Sequence, residues 1–198
     1  MNSFNGAQLG PADCADPGCA LTATGSAIID GDFRNNGLVT GPAGQAWRTF
    51  GDDVCGAGGF AGNIAFRGAY SPGNSIAAVS LENVAFDVTT VLRVELSDDG
   101  GGICDFLDIS GALTAAGTLQ VVPLDGFTPQ QGQTFDLLDW GALTGEFGST
   151  DLPALPGDLA WDPSSLLQTG EISVVPEPVT LAALSAGACL VLLRRKRR

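Results

Sequence analysis

Carboxylates are the side chains of this sequence whose spacing is best suited to catalysis. Close pairs occur at Asp52-Asp53, at Asp98-Asp99 and at Asp105 with Asp108. Two carboxylates that flank a glycosidic bond can hydrolyse it, one as the acid and the other as the base or nucleophile. In a regular strand, however, Asp105 and Asp108 point to opposite faces. We therefore expect these carboxylates to cap turns and to keep the surface soluble, and we predict no enzymatic activity.

The other residues that commonly do chemistry are scarce. Histidine is absent, and the only lysine is Lys196, near the end of the chain. This composition excludes a Ser-His-Asp triad, a histidine base and, upstream of Lys196, a Schiff-base lysine. Asp30-Gly31-Asp32 begins a segment that could be read as a calcium loop, but Arg34 occupies a ligand position of that pattern. We expect a turn there, and no cofactor or metal anywhere in the chain.

Five cysteines occur, one of which, Cys189, lies in an apolar run near the end of the chain. The other four, Cys14, Cys19, Cys55 and Cys104, allow two disulfides in three alternative pairings if the protein works in an oxidising compartment. Their spacing is not the paired C-x-x-C of zinc sites. We favour the local pair Cys14–Cys19 together with Cys55–Cys104.

The elements that position these residues are short apolar segments separated by turn residues. Between residues 79 and 96 the apolar positions recur with period 2, which is typical of strands with one buried face. Glycine is frequent, at 28 of 198 residues, and no amphipathic helix is evident before residue 178. The pattern predicts an all-β domain, either a sandwich or a solenoid. The predicted strands include 26–30, 37–40, 47–50, 63–67, 106–109, 118–122, 135–138, 159–161 and 171–175, with a compact turn at 69–75.

Residues 60–175 resemble bacterial proteins related to autotransporter passenger domains. The segments that carry the resemblance are Phe60–Phe66, Tyr70–Ser75, Asp105–Gly111, Gly117–Val121, Gly126–Pro129 and Gly132–Leu138. At Cys104 this chain departs from the family, which usually has Tyr or another large residue before the Asp. The resemblance implies a right-handed β-helix or its closing, sandwich-like end.

The last 24 residues have three parts. Val175-Pro176-Glu177-Pro178 comes first, and its prolines hold the chain extended, which we expect to separate it from the folded domain. The 15 uncharged residues 179–193 follow. As a helix they would be roughly 22 Å long, short for a bilayer core of about 30 Å. Five cations then mark the cytoplasmic end of a transmembrane-type helix, and they are Arg194, Arg195, Lys196, Arg197 and Arg198.

This three-part segment resembles the PEP-CTERM sorting signal of exported bacterial proteins. The resemblance implies that an exosortase, a membrane cysteine transpeptidase, cuts the chain near Pro176. It also implies a tether to the inner membrane before the protein reaches the periplasm, the cell surface or the extracellular matrix. Met1 to Gly10 has no positive region and no apolar region, so we expect that an export signal upstream of it has been lost.

The net charge of the chain argues against nucleic-acid binding. Residues 1–193 hold four arginines against 22 acidic residues, a net charge of −18. Such a surface repels nucleic acid and anionic lipid headgroups. Its commonest role is to keep the protein soluble.

The sequence therefore predicts a loop-rich segment at 1–24, an extracytoplasmic β-domain at 25–174 and a sorting or anchor segment at 175–198. We expect a structural protein of the surface or matrix, with an adhesive role and with extracellular polysaccharide as a candidate partner. The alternative is a polysaccharide-binding or polysaccharide-degrading β-helix protein. A third interpretation is a membrane-anchored protein that is never processed.

Overall fold

The computed structural model describes residues 2–4, 18–23, 25–41, 44, 47–97, 103–124 and 126–177. Within them the chain forms 19 strands and one four-residue helix, α1 (Leu166–Thr169). The strands are β1 (Asn2–Phe4), β2 (Ala20–Ala23), β3 (Ala27–Ile29), β4 (Phe33–Arg34), β5 (Leu38–Thr40), β6 (Arg48–Phe50), β7 (Val54–Gly56), β8 (Gly59–Phe66), β9 (Ala69–Pro72), β10 (Ala78–Phe86), β11 (Val91–Ser97), β12 (Ile103–Cys104), β13 (Phe106–Ala115), β14 (Thr118–Pro123), β15 (Thr134–Asp136), β16 (Leu138–Gly145), β17 (Ser149–Asp151), β18 (Leu159–Asp162) and β19 (Glu171–Pro176).

Two sheets of mainly parallel strands make up most of the fold. The first has the order β1-β2-β5-β8-β10-β13-β16; β6 also pairs with β8, and β3 pairs with β6. The second has the order β17-β14-β11-β9-β7-β4, with the short antiparallel strand β12 beside β11. From β8 onward the chain alternates between the two sheets, and one passage is a strand of the first sheet followed by a strand of the second. Each strand pairs with the strand of the same sheet from the previous passage: β10 pairs with β8, β11 with β9, and β14 with β11.

The core lies between these sheets because inward residues of successive passages fall in register. Ile29 pairs with Phe50, Phe50 with Phe66, and Phe66 with Phe86, so that four large apolar side chains form one column. The Phe50 and Phe66 rings stack with centroids 5.6 Å apart, and Phe66 stacks on Tyr70 at 4.3 Å. Every residue of this group is at most 3 % exposed, so the column excludes water and provides much of the apolar burial that stabilises the fold.

A third, antiparallel sheet of β15, β19 and β18 closes the described chain. Trp161 of β18 packs on Phe135 of β15 and donates a hydrogen bond from its Nε1 to the Pro153 carbonyl at 2.8 Å. Gly170 ends α1 with a φ of 79°, a left-handed conformation that glycine adopts without strain. The tight turn brings the chain directly into β19.

The prediction of a mostly β fold is confirmed, and the large sheets are parallel. Three predicted boundaries are corrected. Strands β1 and β2 lie in the segment predicted as loop, and β9 occupies much of the predicted turn at 69–75. β19 also crosses the predicted boundary at residue 174, because its last residues remain paired with β18. The predicted transmembrane-type helix lies outside the described residues.

Candidate functional site

A row of polar side chains crosses the outer face of the second sheet. Its register pairs Arg34 of β4 with Cys55 of β7, and Cys55 with Ser71 of β9. Tyr70 pairs with Leu92, so the next residues along these strands, Ser71 and Arg93, are also neighbours. Strand alternation directs these side chains outward. Arg34 and Arg93 therefore lie three strand spacings apart, about 14 Å, with a hydroxyl and a thiol between them.

Both guanidinium groups donate a hydrogen bond to a side-chain amide. Arg93 donates from Nε to the Gln120 side-chain oxygen at 2.9 Å, and Gln120 donates in turn to Asp151 at 2.8 Å. Arg34 donates from Nη1 to the Asn74 side-chain oxygen at 2.7 Å, and Asn74 donates to Asn36 at 3.0 Å. Each of these hydrogen bonds orients one guanidinium group.

The row forms the floor of an open groove. Two adjoining hollows of about 440 and 320 Å³ share Arg34, Cys55, Ser71 and Arg93. Carboxylates also line it, with Asp32 and Asp53 in one hollow and Glu95 in the other. The sequence alone did not reveal this groove. The sequence feature that could have drawn attention to Arg34 and Arg93 is the scarcity of positive charge, since residues 1–193 contain only four cations.

The predicted carboxylate pairs do not form an acid–base site. Asp105 is fully buried, whereas Asp108 is exposed on the opposite face of the chain, as strand alternation predicted. Asp52 and Asp53 accept hydrogen bonds from the backbone N–H groups of Gly31 and Ala69, at 2.6 and 2.9 Å, which is the turn-capping role expected for them. Asp98-Asp99 lies outside the described residues.

Asp105 links two segments of backbone. Its two carboxyl oxygens accept hydrogen bonds from the N–H groups of Ala77 and Glu95, each at 2.8 Å. Burial raises the pKa of Asp105 to about 7, although those two bonds act to lower it. Burial also raises the pKa of the neighbouring Cys104 to about 12, and the Asp136 and Asp105 charges act in the same direction.

The predicted disulfide between Cys55 and Cys104 is wrong, because both are free thiols. Cys55 faces the groove, whereas the Cys104 Sγ lies 3.1 Å from the Asp136 carbonyl oxygen, to which it donates a hydrogen bond. Cys19 is disulfide-bonded. Its partner is a cysteine outside the described residues, so the pair with Cys14 remains a prediction.

One inward arginine has no hydrogen-bond partner among the described residues. Arg48 begins β6 between Ala27 and Ile64 of the neighbouring strands and is 0 % exposed. In the described part of the chain, none of its three guanidinium nitrogens has a hydrogen-bond acceptor, and burial lowers its pKa. The buried Tyr70 hydroxyl also has no hydrogen-bond partner among these residues, and burial raises its pKa.

The first residues of the predicted sorting motif belong to the terminal sheet, which corrects the expectation that they are separate from the folded domain. Val175 and Pro176 of β19 lie opposite Ala160 and Leu159 of β18. The Glu177 N–H also donates to the Asp158 carbonyl at 2.8 Å. Pro178 and the basic cluster at 194–198 lie outside the described residues.

Metal-binding clusters and membrane-spanning helices can be assessed only for the described part of the chain. There, no group of three or more Cys, Asp and Glu residues could hold a metal ion. No helix among those residues is long and apolar enough to cross a bilayer, and residues 179–193 are not among them. Comparisons with protein-family models, curated proteins and solved structures gave no match for this chain.

Proposed function

We propose that this chain is an exported structural protein of the cell surface or extracellular matrix, sorted by an exosortase through its tail. The observation that carries the proposal is the order of the tail: Pro176-Glu177-Pro178, then 15 uncharged residues, then five cations. The apolar run and the cations suit transient insertion with the cations in the cytoplasm. The net charge of −18 on residues 1–193 suits a soluble exported domain that does not bind nucleic acid.

We further propose that the parallel strands form a right-handed β-helix that ends in the antiparallel sheet of β15, β19 and β18. Support comes from the recurring pairings between one passage of the chain and the next, such as Leu92 with Leu119 and Leu107 with Leu138. Solenoids present long regular faces, which suit a structural or adhesive role. The handedness is taken from the resemblance to passenger domains.

A non-catalytic role is part of the proposal. It is supported by the absence of histidine from the sequence and by the opposite orientations of Asp105 and Asp108. Polysaccharide binding is the second candidate function, favoured by the groove with its two oriented guanidinium groups. Binding to a matrix polysaccharide would be compatible with the structural role.

The sorting proposal can be tested by replacing Pro176, Glu177 and Pro178 with alanine in a host that has an exosortase. Insertion depends on the apolar run and the cations, which the variant retains. The change Pro176→Ala also allows residue 176 to remain in the extended strand β19. We therefore expect the variant to remain full-length in the inner membrane, while the parent becomes shorter and leaves it. Equal fractionation of both proteins at full length would show that the tail is only an anchor, and equal cleavage would show that the tripeptide is not recognised.

A further inference from the structure

The end of β19 is bonded along one edge only. At Val174 the strand is still bonded on both sides: β18 lies along one edge, and on the other both the N–H and the carbonyl of Val174 are hydrogen-bonded to the chain before β15. In the described part of the chain, Val175 and Pro176 pair only with β18. The Glu177 N–H continues this pairing by donating to the Asp158 carbonyl at 2.8 Å.

Burial divides the strand at the same point. Ile172 and Val174 are 0 % and 1 % exposed and belong to the core. Val175 is half-buried, and the side chains of Pro176 and Glu177 are exposed. Residues 175–177 can therefore leave β18 without removing a core side chain. Local openings of this kind cost much less free energy than unfolding of the whole domain.

Two carboxylates face each other at this end. The register that places Leu159 opposite Pro176 also places Asp158 opposite Glu177, and both acidic side chains are exposed. Like charges directly opposite each other in an antiparallel pair are destabilising. The pairing of residues 175–177 with 158–160 is therefore the weakest part of the terminal sheet, and we call these six residues the latch.

We propose that the latch masks the sorting motif, and that residues 175–177 must leave β18 before the tail is processed. This inference rests on the proposed sorting by an exosortase. An enzyme that binds an extended segment pairs with its backbone, and β18 already occupies one edge of that backbone. Only Pro178 separates Glu177 from the apolar run at 179–193, so little chain is available to lead the motif away from the closed latch.

Opening of the latch should set the rate of processing. Cleavage of a transiently opened segment follows the population of the open form when opening is fast. Ala160→Pro removes the hydrogen bond to Val175, so it should speed processing by about fivefold or more without changing the motif. Ala160→Val keeps that hydrogen bond and should alter the rate by less than about 1.5-fold.

A second variant moves the latch in the opposite direction. Asp158→Lys places a cation opposite Glu177, and it should slow processing by about threefold. Glu146→Lys makes the same change of charge at an exposed residue between β16 and β17, outside the terminal sheet, and should alter the rate by less than about 1.5-fold.

Pulse-chase labelling in a host with an exosortase measures these rates. Hydrogen exchange at the Glu177 amide of the purified, unprocessed full-length protein measures latch opening without the enzyme, and it should be faster in Ala160→Pro and slower in Asp158→Lys. Equal processing of the parent and Ala160→Pro, with faster exchange in the variant, would overturn the latch and leave the sorting proposal standing. Equal slowing by Asp158→Lys and Glu146→Lys would also contradict the latch.

Failure of the sorting proposal has a different signature. In that case the parent, the latch variants and the alanine variant of residues 176–178 would all stay at full length or would all be cleaved alike, and the latch would have no role in processing. Cleavage of Ala160→Pro alone would support both proposals, because it would show a motif that is recognised only after release.

Discussion

At the scale of single residues, Asp105 couples stability to pH. Its carboxyl group joins the Ala77 and Glu95 backbones, yet it is fully buried and its pKa is raised to about 7. An unfolded aspartate has a pKa of about 3.9. Between these two pKa values the folded state binds the proton more tightly than the unfolded state does. Stability from this group is therefore present at low pH and is lost as the pH rises toward 7.

We predict that the unfolding free energy of the wild type falls as pH rises from 4.5 to 7.5, with a contribution from Asp105 on the order of 2–4 kcal/mol. The variant Asp105→Asn, which does not titrate, should lose that part of the slope. Urea unfolding of both proteins at each pH measures the difference directly. Parallel curves for the two proteins would show that Asp105 has an ordinary pKa in the fold.

Arg48 gives a second prediction at this scale, because a buried guanidinium that finds no acceptor in the described part of the chain destabilises the fold. Replacing buried charges by apolar side chains of similar volume is often neutral or stabilising by about 1–4 kcal/mol. Arg48→Met should therefore raise the unfolding free energy by about that amount. The exposed Arg67→Met serves as the control and should change it by less than about 0.5 kcal/mol. A destabilised Arg48→Met would contradict the prediction and would indicate that Arg48 has an acceptor in solution.

Sequence patterns identified some of these residues and missed others for definite reasons. The opposite faces of Asp105 and Asp108 follow from local alternation, so they were predictable. The free thiols of Cys55 and Cys104 were not predictable, because the number of cysteines in a sequence does not show whether two of them lie close enough in the fold to form a disulfide. Arg48 was missed because arginine is almost never fully buried.

At the scale of elements, the end of β19 explains how a proline remains in a paired strand. Glu177 and Asp158 share a backbone hydrogen bond, and hydrogen-bonded pairs alternate along an antiparallel ladder. Ala160 and Val175 are therefore the next hydrogen-bonded pair. Pro176, opposite Leu159, lies between these two hydrogen-bonded pairs, at a position where no N–H is required. By the same alternation the N–H of Val174 points away from β18, and it donates to the Gln133 carbonyl at 2.9 Å.

We predict that Ala160→Pro releases the end of β19, because proline removes the hydrogen bond to Val175. Hydrogen exchange at the Val175 and Glu177 amides should become faster, while exchange in β10 and β13 should not change. Ala160→Val, which keeps the N–H and suits a strand, is the matched control and should leave the protection of both amides intact. Equal exchange in the proline variant and the wild type would contradict this pairing.

Strand positions were largely predictable, and their partners were not. Short apolar segments between turn residues located β3, β5 and β6 to within about one residue at each end. Period-2 alternation between residues 79 and 96 marked the region of β10 and β11 but did not give their separate bounds. At Tyr70-Ser71-Pro72-Gly73 the turn-forming residues suggested a loop, yet β9 continues to Pro72 because Tyr70 is drawn into the core. Tertiary burial overrides local turn preference at that point.

At the scale of the whole molecule, two sheets of mainly parallel strands enclose an apolar core. Their outer faces carry acidic and short polar side chains. The sequence could not distinguish a sandwich from a solenoid, because both have short strands with the same period. The distinction depends on long-range pairs such as Leu81 with Phe60 and with Ile109. Similarly, the groove exists only because residues from distant strands meet in one row.

The proposed sorting of this chain is tested most directly by the intact mass of the mature protein from the cells that produce it. Processing near Pro176 predicts a mass that lacks the 20 residues from 179 to 198, with the described β-domain retained. The Pro176-Glu177-Pro178 alanine variant should keep that segment. A mature protein that still carries the apolar run and all five terminal cations would contradict the proposal and would identify the tail as a permanent anchor.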